Sequence, residues 1–371
     1  MSMQPSLPLL LFSLLPLSGL AMAEESLRSV VNREGERPRP IVAIDRVCAW
    51  PNLLKLNDGT ILATIHNQPS HLQQPADVEC WASVDGGVSW KKRGVPAPRD
   101  DAEAARGMFA AGVAGNGAVV VLSTGHANTI STKNGWGPVT PTWISRSLDG
   151  GKTWTIDKTS FPRGPDGKVL NPFGDILIGK DGSLLVAVYG DTHAVGTLVF
   201  RSSDHGGTWT SPARISKEKG TNETALLHLG NGKWLAAARN QGTDLYVSND
   251  DGLTWSHRPV GPDPQGRIAG DNQHPAHFLR LPSGIIILTY GNRTKHSGVD
   301  ARFSRDQGQT WSDPYRVLDC SGDLGYPSSV ERADGQVVTA YYASRVEGHP
   351  HYHMGIVIWD PNKTLASRSE P

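Results

Sequence analysis

The chain has 371 residues, and its 36 lysine and arginine residues balance 36 aspartate and glutamate residues, so the formal net charge at pH 7 is +0. A neutral chain gives no reason to expect nucleic acid or an anionic membrane as a partner, and any recognition must be local. The 41 glycines, 26 prolines and 11 tryptophans are typical of many short strands and turns, so we expect little helix.

The first 23 residues have the pattern of a cleaved secretory leader. Residues 7–17 are nearly all apolar and too few to span a bilayer comfortably. Ala21 and Ala23 supply the small side chains that a signal peptidase requires at its cleavage site. We therefore expect cleavage after Ala23, a secreted or periplasmic product without stable membrane insertion, and a polar lead-in over residues 24–40. A retained anchor is the alternative, because no lysine or arginine precedes the apolar run.

The remaining chain repeats an apolar run, a tight glycine turn and a second apolar run, which is the pattern of a β-hairpin. The six turns are Asp58-Gly59, Asn116-Gly117, Asp181-Gly182, Asn231-Gly232, Ser283-Gly284 and Asp334-Gly335. Five of them are followed by the phrase Ser-x-Asp-x-Gly-x-(Thr/Ser)-Trp. Its copies are Ser83–Trp90, Ser147–Trp154, Ser202–Trp209, Ser248–Trp255 and Ser304–Trp311. The sixth turn leads instead to a strand near Ile356–Trp359.

This double repeat predicts the fold. A phrase that recurs about every fifty to sixty residues indicates stacked, similar units. Two hairpins per unit give a four-stranded antiparallel sheet, and six such sheets in a ring leave only short, protected edges. We expect a single all-β domain over residues 41–360, a six-bladed β-propeller with five Asp boxes, and a C-terminal tail over residues 361–371. The box aspartates are expected to be structural.

Cysteines and histidines give no metal signature. Cys48 and Cys80 flank the first hairpin, so the sequence allows either a disulfide between them or buried free thiols. No Cys/His spacing resembles a zinc site, and the alternating histidines of residues 349–353 suit one face of a strand. We expect no metal and no cofactor.

Three segments resemble the sialidase family, whose six-bladed propellers carry the same Asp box. Residues 222–240 contain Glu223 and end at Arg239, where the family supplies a buried glutamate and an arginine. Arg302 precedes the fifth box, and Tyr326 precedes the sixth hairpin, where the family places another arginine and its tyrosine nucleophile. The resemblance implies a pocket on the propeller axis with Tyr326 and Glu223 in contact and Arg239 and Arg302 binding a carboxylate.

The chemistry of such a set is consistent. A free tyrosine has a pKa near 10, so ionising it at neutral pH costs roughly 4 kcal/mol, which a contacting carboxylate offsets by accepting the proton. A neutral nucleophile also avoids repulsion from a sugar that carries its own carboxylate. Arginine forks bind that carboxylate at two points.

The chain departs from the family at two positions in the first unit. The family's first arginine lies in an Arg-Ile-Pro phrase, and here Pro51 follows Ala49-Trp50, so Arg46 is the remaining candidate and requires a bulge to face the axis. The general acid is expected in the loop after the first hairpin, where Asp77 is the first choice and His71 the second.

Polar residues that interrupt apolar inner strands are further candidates for substrate contact. They are Asp175, Asn272 and His274. Together these residues predict a sialidase-like exo-glycoside hydrolase that acts with retention on a terminal acidic sugar of a glycan, most simply a sialic acid. The alternatives are a glycosidase for another acidic or neutral sugar and a catalytically silent propeller that binds glycan or protein. The sequence leaves the oligomeric state open.

Overall fold

The computed structural model of the chain describes residues 38–129, 137–190, 195–218, 220–261 and 265–366. The predicted leader and all but the last residues of the lead-in lie outside this part. The described residues form 24 strands and one short helix, α1 (Pro361–Ala366), which begins the predicted C-terminal tail. Within them no helix has the length and apolar character needed to cross a membrane.

Each predicted glycine turn joins the first two strands of a four-stranded antiparallel unit. Unit 1 contains β2 (Asn52–Lys55), β3 (Ile61–His66), β4 (Val78–Ser83) and β5 (Lys91–Ala97). Unit 2 contains β6 (Ala105–Val113), β7 (Val119–His126), β8 (Val139–Ser147) and β9 (Thr155–Asp157). Unit 3 contains β10 (Leu170–Ile178), β11 (Leu184–Gly190), β12 (Thr197–Ser202) and β13 (Thr210–Ser216).

The second half of the chain repeats the arrangement. Unit 4 contains β14 (Thr224–Gly230), β15 (Lys233–Asn240), β16 (Gly242–Ser248) and β17 (Ser256–His257). Unit 5 contains β18 (Gln273–Arg280), β19 (Ile286–Asn292), β20 (Gly298–Ser304) and β21 (Tyr315–Asp319). Unit 6 contains β22 (Ser321–Glu331), β23 (Val337–Arg345), β24 (His353–Trp359) and, from the start of the domain, β1 (Ile41–Asp45).

The architecture is an all-β propeller with four-stranded antiparallel blades, but the expectation of six separate sheets needs correction. The described strands form four four-stranded sheets and one eight-stranded sheet, in which β6 and β10 pair in parallel. This pairing sets Ile176 opposite Gly112, and a Cβ on Gly112 would lie 2.1 Å from the carbonyl oxygen of Ile176. Because glycine has no Cβ, the two strands can approach closely enough to merge units 2 and 3.

Unit 6 is completed by β1, which the sequence did not predict as its outer strand. β1 pairs antiparallel with β24, with Ile41 opposite Ile356 and Asp45 opposite His353. The sheet order is β1-β24-β23-β22. Two distant parts of the chain therefore share one sheet, which covers an edge that β24 would otherwise expose.

The box turns have the structural role expected of them. At Ser147–Trp154, Asp149 accepts hydrogen bonds from the Ser147 hydroxyl at 2.7 Å and from the Thr153 backbone N–H at 2.9 Å. Trp154 Nε1 donates to the carbonyl oxygen of Gly151 at 3.1 Å. The serine–aspartate bond recurs in all five copies. These aspartates are used within their own turns, so they are not free for catalysis.

The boxes also connect neighbouring units. Gly151 has φ +90°, and a Cβ there would lie 2.8 Å from Cys80 Sγ in unit 1. The equivalent glycine of unit 3, Gly206, approaches Val120 of unit 2 in the same way. In the same way, the box glycine of unit 4 approaches unit 3, that of unit 5 approaches unit 4, and that of unit 1 approaches unit 6. This contact order is that of a ring.

All three cysteines lie in the described part of the chain and are buried free thiols, so the Cys48–Cys80 disulfide does not form. Cys80 Sγ faces Gly151 of unit 2, whereas the Cys48 sulfur lies near His71 and Asp323. The two sulfurs therefore face different neighbours.

Candidate active site

A cavity of about 360 Å³ opens where the first strands of the six units meet. Every unit contributes to its wall from its first strand or the residues just before it, which include Asn52, Met108, Phe173, Glu223, His277 and Tyr326. The ends of second strands and the loop between β3 and β4 supply the rest, among them His126, Tyr189, Arg239, Arg293 and His71. A cavity of this size with few charged groups suits a small ligand such as a sugar ring.

Tyr326 is aimed into the cavity by an irregularity in β22. The register of β22 against β23 shifts between Gly325 and Ser328, and Tyr326 has φ +50°. A bulge re-aims a side chain, and a left-handed backbone at a bulky residue costs about 1–3 kcal/mol. The ring lies between Trp50, at 6.1 Å between centroids, and Phe173, at 5.9 Å. Packing therefore holds the phenol in one orientation.

The Tyr326 hydroxyl donates a hydrogen bond to Glu223 Oε1, as the sequence predicts. The other carboxylate oxygen, Oε2, accepts from Arg239 Nη1. The backbone fixes this pair, because Glu223 and Arg239 are cross-strand neighbours: the Arg239 N–H donates to the Glu223 carbonyl oxygen at 3.1 Å. Glu223 is 5% exposed. The three side chains form one chain of charge-assisted contacts.

The proton rests on Tyr326 in this arrangement. Burial would raise the pKa of Glu223, but the Arg239 charge and the hydrogen bond from Tyr326 outweigh it, so the net pKa is lowered. Burial raises the pKa of Tyr326 well above its usual value, and the negative charge of Glu223 raises it further. Glu223 is therefore a carboxylate and Tyr326 a neutral phenol at neutral pH.

Arg293 is a second cavity arginine that the sequence reasoning missed. Its Nε donates to the Leu324 carbonyl oxygen at 2.8 Å and its Nη2 to the Tyr342 hydroxyl at 3.3 Å. Its guanidinium carbon lies 5.9 Å from the centre of the Tyr326 ring. Arg293 follows β19 as Arg239 closes β15, so the shared position at the end of the second strand was a usable signal.

The first-unit side of the cavity contains a polar cluster, of which only His71 is predicted from the sequence. His71 Nε2 contacts Asp323 Oδ2, and the hydroxyls of Tyr342 and Tyr352 donate to the same carboxylate at 2.8 and 2.9 Å. Trp50 stands edge-on to the His71 ring at 5.2 Å. Burial would raise the pKa of Asp323, but the hydrogen bond and charge of His71, with the two tyrosine hydroxyls, lower it to about 2. The histidine therefore lies beside a permanent negative charge.

Six predicted residues do not line the cavity, and Asp77 and Arg302 are two of them. Asp77 Oδ1 accepts the Arg99 backbone N–H at 2.8 Å, so this carboxylate fastens a loop. Arg302 lies on the third strand of its unit, away from the axis, and its Nη1 donates to the Ser312 carbonyl oxygen at 2.8 Å.

Arg46 follows the outermost strand of unit 6, not an inner strand, and has φ +58°. Its side chain is 70% exposed, and its Nε lies 3.9 Å from Asp45 Oδ2. No bulge turns it to the axis. The prediction that Arg46 is a third cavity arginine is therefore wrong.

The remaining candidates lie around the cavity instead of in its wall. Asp175 accepts hydrogen bonds from Asn52 Nδ2 at 2.8 Å and from His277 Nε2 at 3.1 Å, so it orients two wall residues. The Asn272 side chain is exposed, and its carbonyl oxygen accepts the Arg293 N–H at 2.9 Å. Burial, reinforced by the cavity arginines, lowers the pKa of His274 to about 4. None of these three residues lines the cavity wall.

Comparison with known proteins identifies the family of the chain. Residues 59–339 match the family model described as a BNR repeat-like domain. The chain belongs to this BNR-repeat family, within the sialidase superfamily. The match covers the cavity residues from His71 to Tyr326.

Two curated relatives are sialidases. One, from Micromonospora viridifaciens, is 24% identical over 322 residues, covering 77% of this chain and 48% of that protein. The other, from Bacteroides fragilis (strain YCH46), is 25% identical over 368 residues, covering 87% of this chain and 66% of that protein. The chain thus spans about half to two thirds of their length.

A solved structure, the Hadza microbial sialidase Hz136, superposes with a TM-score of 0.66 at 18% identity. The superposition covers 86% of this chain and 66% of that one. At this identity the likeness shows a shared fold.

Proposed function

We propose that the protein is a secreted or periplasmic exo-glycoside hydrolase that acts with retention, with Tyr326 as nucleophile and Glu223 as its base. The observation that carries the proposal is the hydrogen bond from Tyr326 to Glu223 inside a cavity of sugar size. The curated relatives named sialidases support the reaction class. Sialidases are among the glycosidases that use tyrosine where most use a carboxylate.

The proton and the new bond move together in the proposed first step. Tyr326 Oη bonds to the anomeric carbon, its proton passes to Glu223 Oε1, and the bond to the leaving oxygen breaks. Because Arg239 lowers the pKa of Glu223, the carboxylate takes the proton only as positive charge develops on the sugar and stabilises the phenolate. In the second step water attacks the same carbon as the bond to Tyr326 Oη breaks, the water gives a proton to the general acid/base, and Glu223 returns its proton to Tyr326. Two inversions give retention.

We propose His71 as the group that protonates the leaving oxygen, with Asp77 excluded from that role by its position. His71 lines the cavity, and Asp323 fixes its ring as a positioning residue. A carboxylate whose pKa is about 2 stays charged while the imidazole gives up and regains a proton.

The proposed substrate is a terminal acidic sugar other than sialic acid. Arg239 and Arg293 supply positive charge beside Tyr326, so a carboxylate on the sugar would have partners. Arg46 lies outside the cavity, and Trp50 fills the corresponding wall, so the third cation expected for sialic acid is missing. Methionine and aromatic side chains of the cavity wall suit the apolar face of the ring.

We interpret the propeller as six-bladed with five Asp boxes, over residues 41–360. The eight-stranded sheet divides into two antiparallel runs, β6–β9 and β10–β13, each with its own hairpin turn and box. Counting both runs makes six units, and all six contribute to the cavity wall. We also propose that residues 1–23 are a leader removed on export.

Trapping the covalent intermediate tests the proposal. Fluorosugar inactivators with a good leaving group accumulate the glycosyl-enzyme, and peptide mass spectrometry locates the modified residue. We expect a stoichiometric adduct on Tyr326 in the wild type and in Tyr315→Phe, a matched control outside the cavity, and none in Tyr326→Phe. Proton NMR should show the first-formed product with the anomeric configuration of the substrate.

An adduct on another residue, or an inverted product, would overturn the mechanism. The panel should hold a sialoside, several uronides and neutral glycosides. Turnover of the sialoside above the others would overturn the substrate assignment alone. Glycan binding without turnover of any glycoside would favour the silent propeller.

A further inference from the structure

Three side chains with different donor atoms converge beside the cavity. Cys48 precedes β2, His71 lies in the loop between β3 and β4, and Asp323 lies on β22. One sulfur, one ring nitrogen and one carboxylate oxygen lie within 4.8 Å of one another. Among the described residues, this is the one such group of three potential ligands. Three separate segments thus bring a thiol, an imidazole and a carboxylate to one point.

The donor set matches the preferences of a borderline-soft divalent cation. Thiolate, imidazole and carboxylate are the ligands of Zn²⁺ in proteins, with bonds of about 2.0–2.3 Å and tetrahedral geometry. Donors around such an ion lie roughly 3.5 Å apart, so the cluster needs only side-chain adjustment to close on an ion. Mg²⁺ and Ca²⁺ require oxygen ligands and would be disfavoured by the sulfur and nitrogen donors.

The surroundings already orient the donors. The Tyr342 and Tyr352 hydroxyls donate to the two oxygens of Asp323, and the Asp323 backbone N–H donates to Ser344 Oγ at 2.9 Å. The Cys48 backbone N–H donates to the Gln68 carbonyl oxygen at 2.7 Å. Hydrogen bonds of this kind fix ligand orientation at metal centres and raise affinity.

The cluster is also accessible from one side. Cys48 is fully buried, whereas the side chains of His71 and Asp323 are 37% and 31% exposed, and His71 lines the cavity. An ion held by the three would have its fourth position towards the cavity. Three protein ligands with one open position is the arrangement found at catalytic zinc sites.

We propose that Cys48, His71 and Asp323 form a binding site for Zn²⁺ or a similar borderline-soft cation such as Co²⁺. Binding releases the thiol proton of Cys48 and replaces the His71–Asp323 contact by two bonds to the metal. A consequence, which rests on the proposed function, is that a metal-bound His71 cannot protonate the leaving group. Zn²⁺ would therefore inhibit hydrolysis.

Cobalt spectroscopy tests binding without reference to activity. Chelator-treated protein is titrated with Co²⁺, and thiolate ligation is read from the near-ultraviolet sulfur-to-cobalt charge-transfer band. We expect one equivalent of Co²⁺, displaced by one equivalent of Zn²⁺. Cys48→Ser should lose the band, and Cys320→Ser, a matched buried-cysteine control, should keep it.

A second variant distinguishes the loss of a metal ligand from misfolding of the protein. Tyr342→Phe retains Cys48 and the ring volume but removes one orienting hydrogen bond, and we expect about 10–100-fold weaker Co²⁺ binding with the band preserved. Circular dichroism and melting curves check that each variant is folded. A wild type without the band, or a band that persists in Cys48→Ser, overturns the site. Cobalt binding that leaves hydrolysis unchanged overturns the role of His71 and leaves the site intact.

Discussion

The two sides of the cavity differ in how their charges are arranged. On the side of units 4 to 6, Glu223 joins Tyr326 to Arg239 in one hydrogen-bonded chain, with Arg293 beside the phenol ring. On the side of unit 1, the His71 imidazole faces Asp323 of unit 6 and aromatic rings, and Arg293 reaches this cluster only through the Tyr342 hydroxyl. The side of units 4 to 6 contains Tyr326, Glu223 and Arg239, which the family resemblance implies, whereas neither Asp77 nor Arg46 lines the side of unit 1. The proposed nucleophile and the proposed acid therefore lie on different sides of the cavity, and each can be changed separately.

The strongest test of this contrast is Tyr326→Phe. Removing the proposed nucleophile should lower kcat by on the order of 10³- to 10⁶-fold, because the phenylalanine ring cannot form the covalent intermediate. Steady-state kinetics with an activated glycoside measures the loss. Tyr315→Phe should stay within about twofold of wild type. Near-normal turnover by Tyr326→Phe would remove the units 4 to 6 side from the chemistry.

His71→Asn tests the first-unit side. We expect kcat to fall by about 10²–10⁴-fold for substrates with a poor leaving group, since these need protonation, and much less for activated aryl glycosides. The measurement is the dependence of kcat on leaving-group pKa, which should be steeper in the variant. Asp77→Asn serves as control and should leave that dependence unchanged. The opposite pattern would restore Asp77 as the acid.

Two arginines, one in the cavity wall and one in solvent, test which of them binds the sugar. Arg293→Gln should lower kcat/KM for an acidic sugar by about 10–100-fold, because one charge-assisted contact contributes roughly 1.5–3 kcal/mol. Arg46→Gln should have no effect, because its side chain lies in solvent. If kcat/KM fell equally in both variants, the assignment of Arg293 to the cavity wall and of Arg46 to solvent would be wrong.

The smallest expected effect is a shift in the pH dependence of activity. Glu223 must be ionised to act as base, so activity should fall only when the pH drops below the ordinary glutamate range, where its lowered pKa lies. In Arg239→Gln, the largest influence that opposes burial is lost, so the pKa of Glu223 should rise. The acidic limb of the kcat/KM profile should then move to higher pH. An unmoved limb would show that another group controls it.

The sequence predicted the repeated structural elements, and it predicted site residues whose contacts form within one hairpin. The six glycine turns are hairpins, and Tyr326, Glu223 and Arg239 meet because the hairpin of unit 4 places the last two opposite each other. Arg302 was chosen from its distance to a box, but that distance specifies a third strand, which lies away from the axis. Asp323 was not predictable, because it meets His71 only when unit 6 closes against unit 1.

The pairing of β1 with β24 has a consequence for how the protein is made. During synthesis β1 leaves the ribosome before the other described strands, yet its partner is the last of them. Until β24 emerges, β1 has an unsatisfied edge and the ring stays open, so the nascent chain must be protected from pairing with other chains. Closing so long a loop also costs entropy that only the finished sheet repays. A circularly permuted gene that encodes β24 and β1 consecutively would turn this late, long-range step into an early, local one.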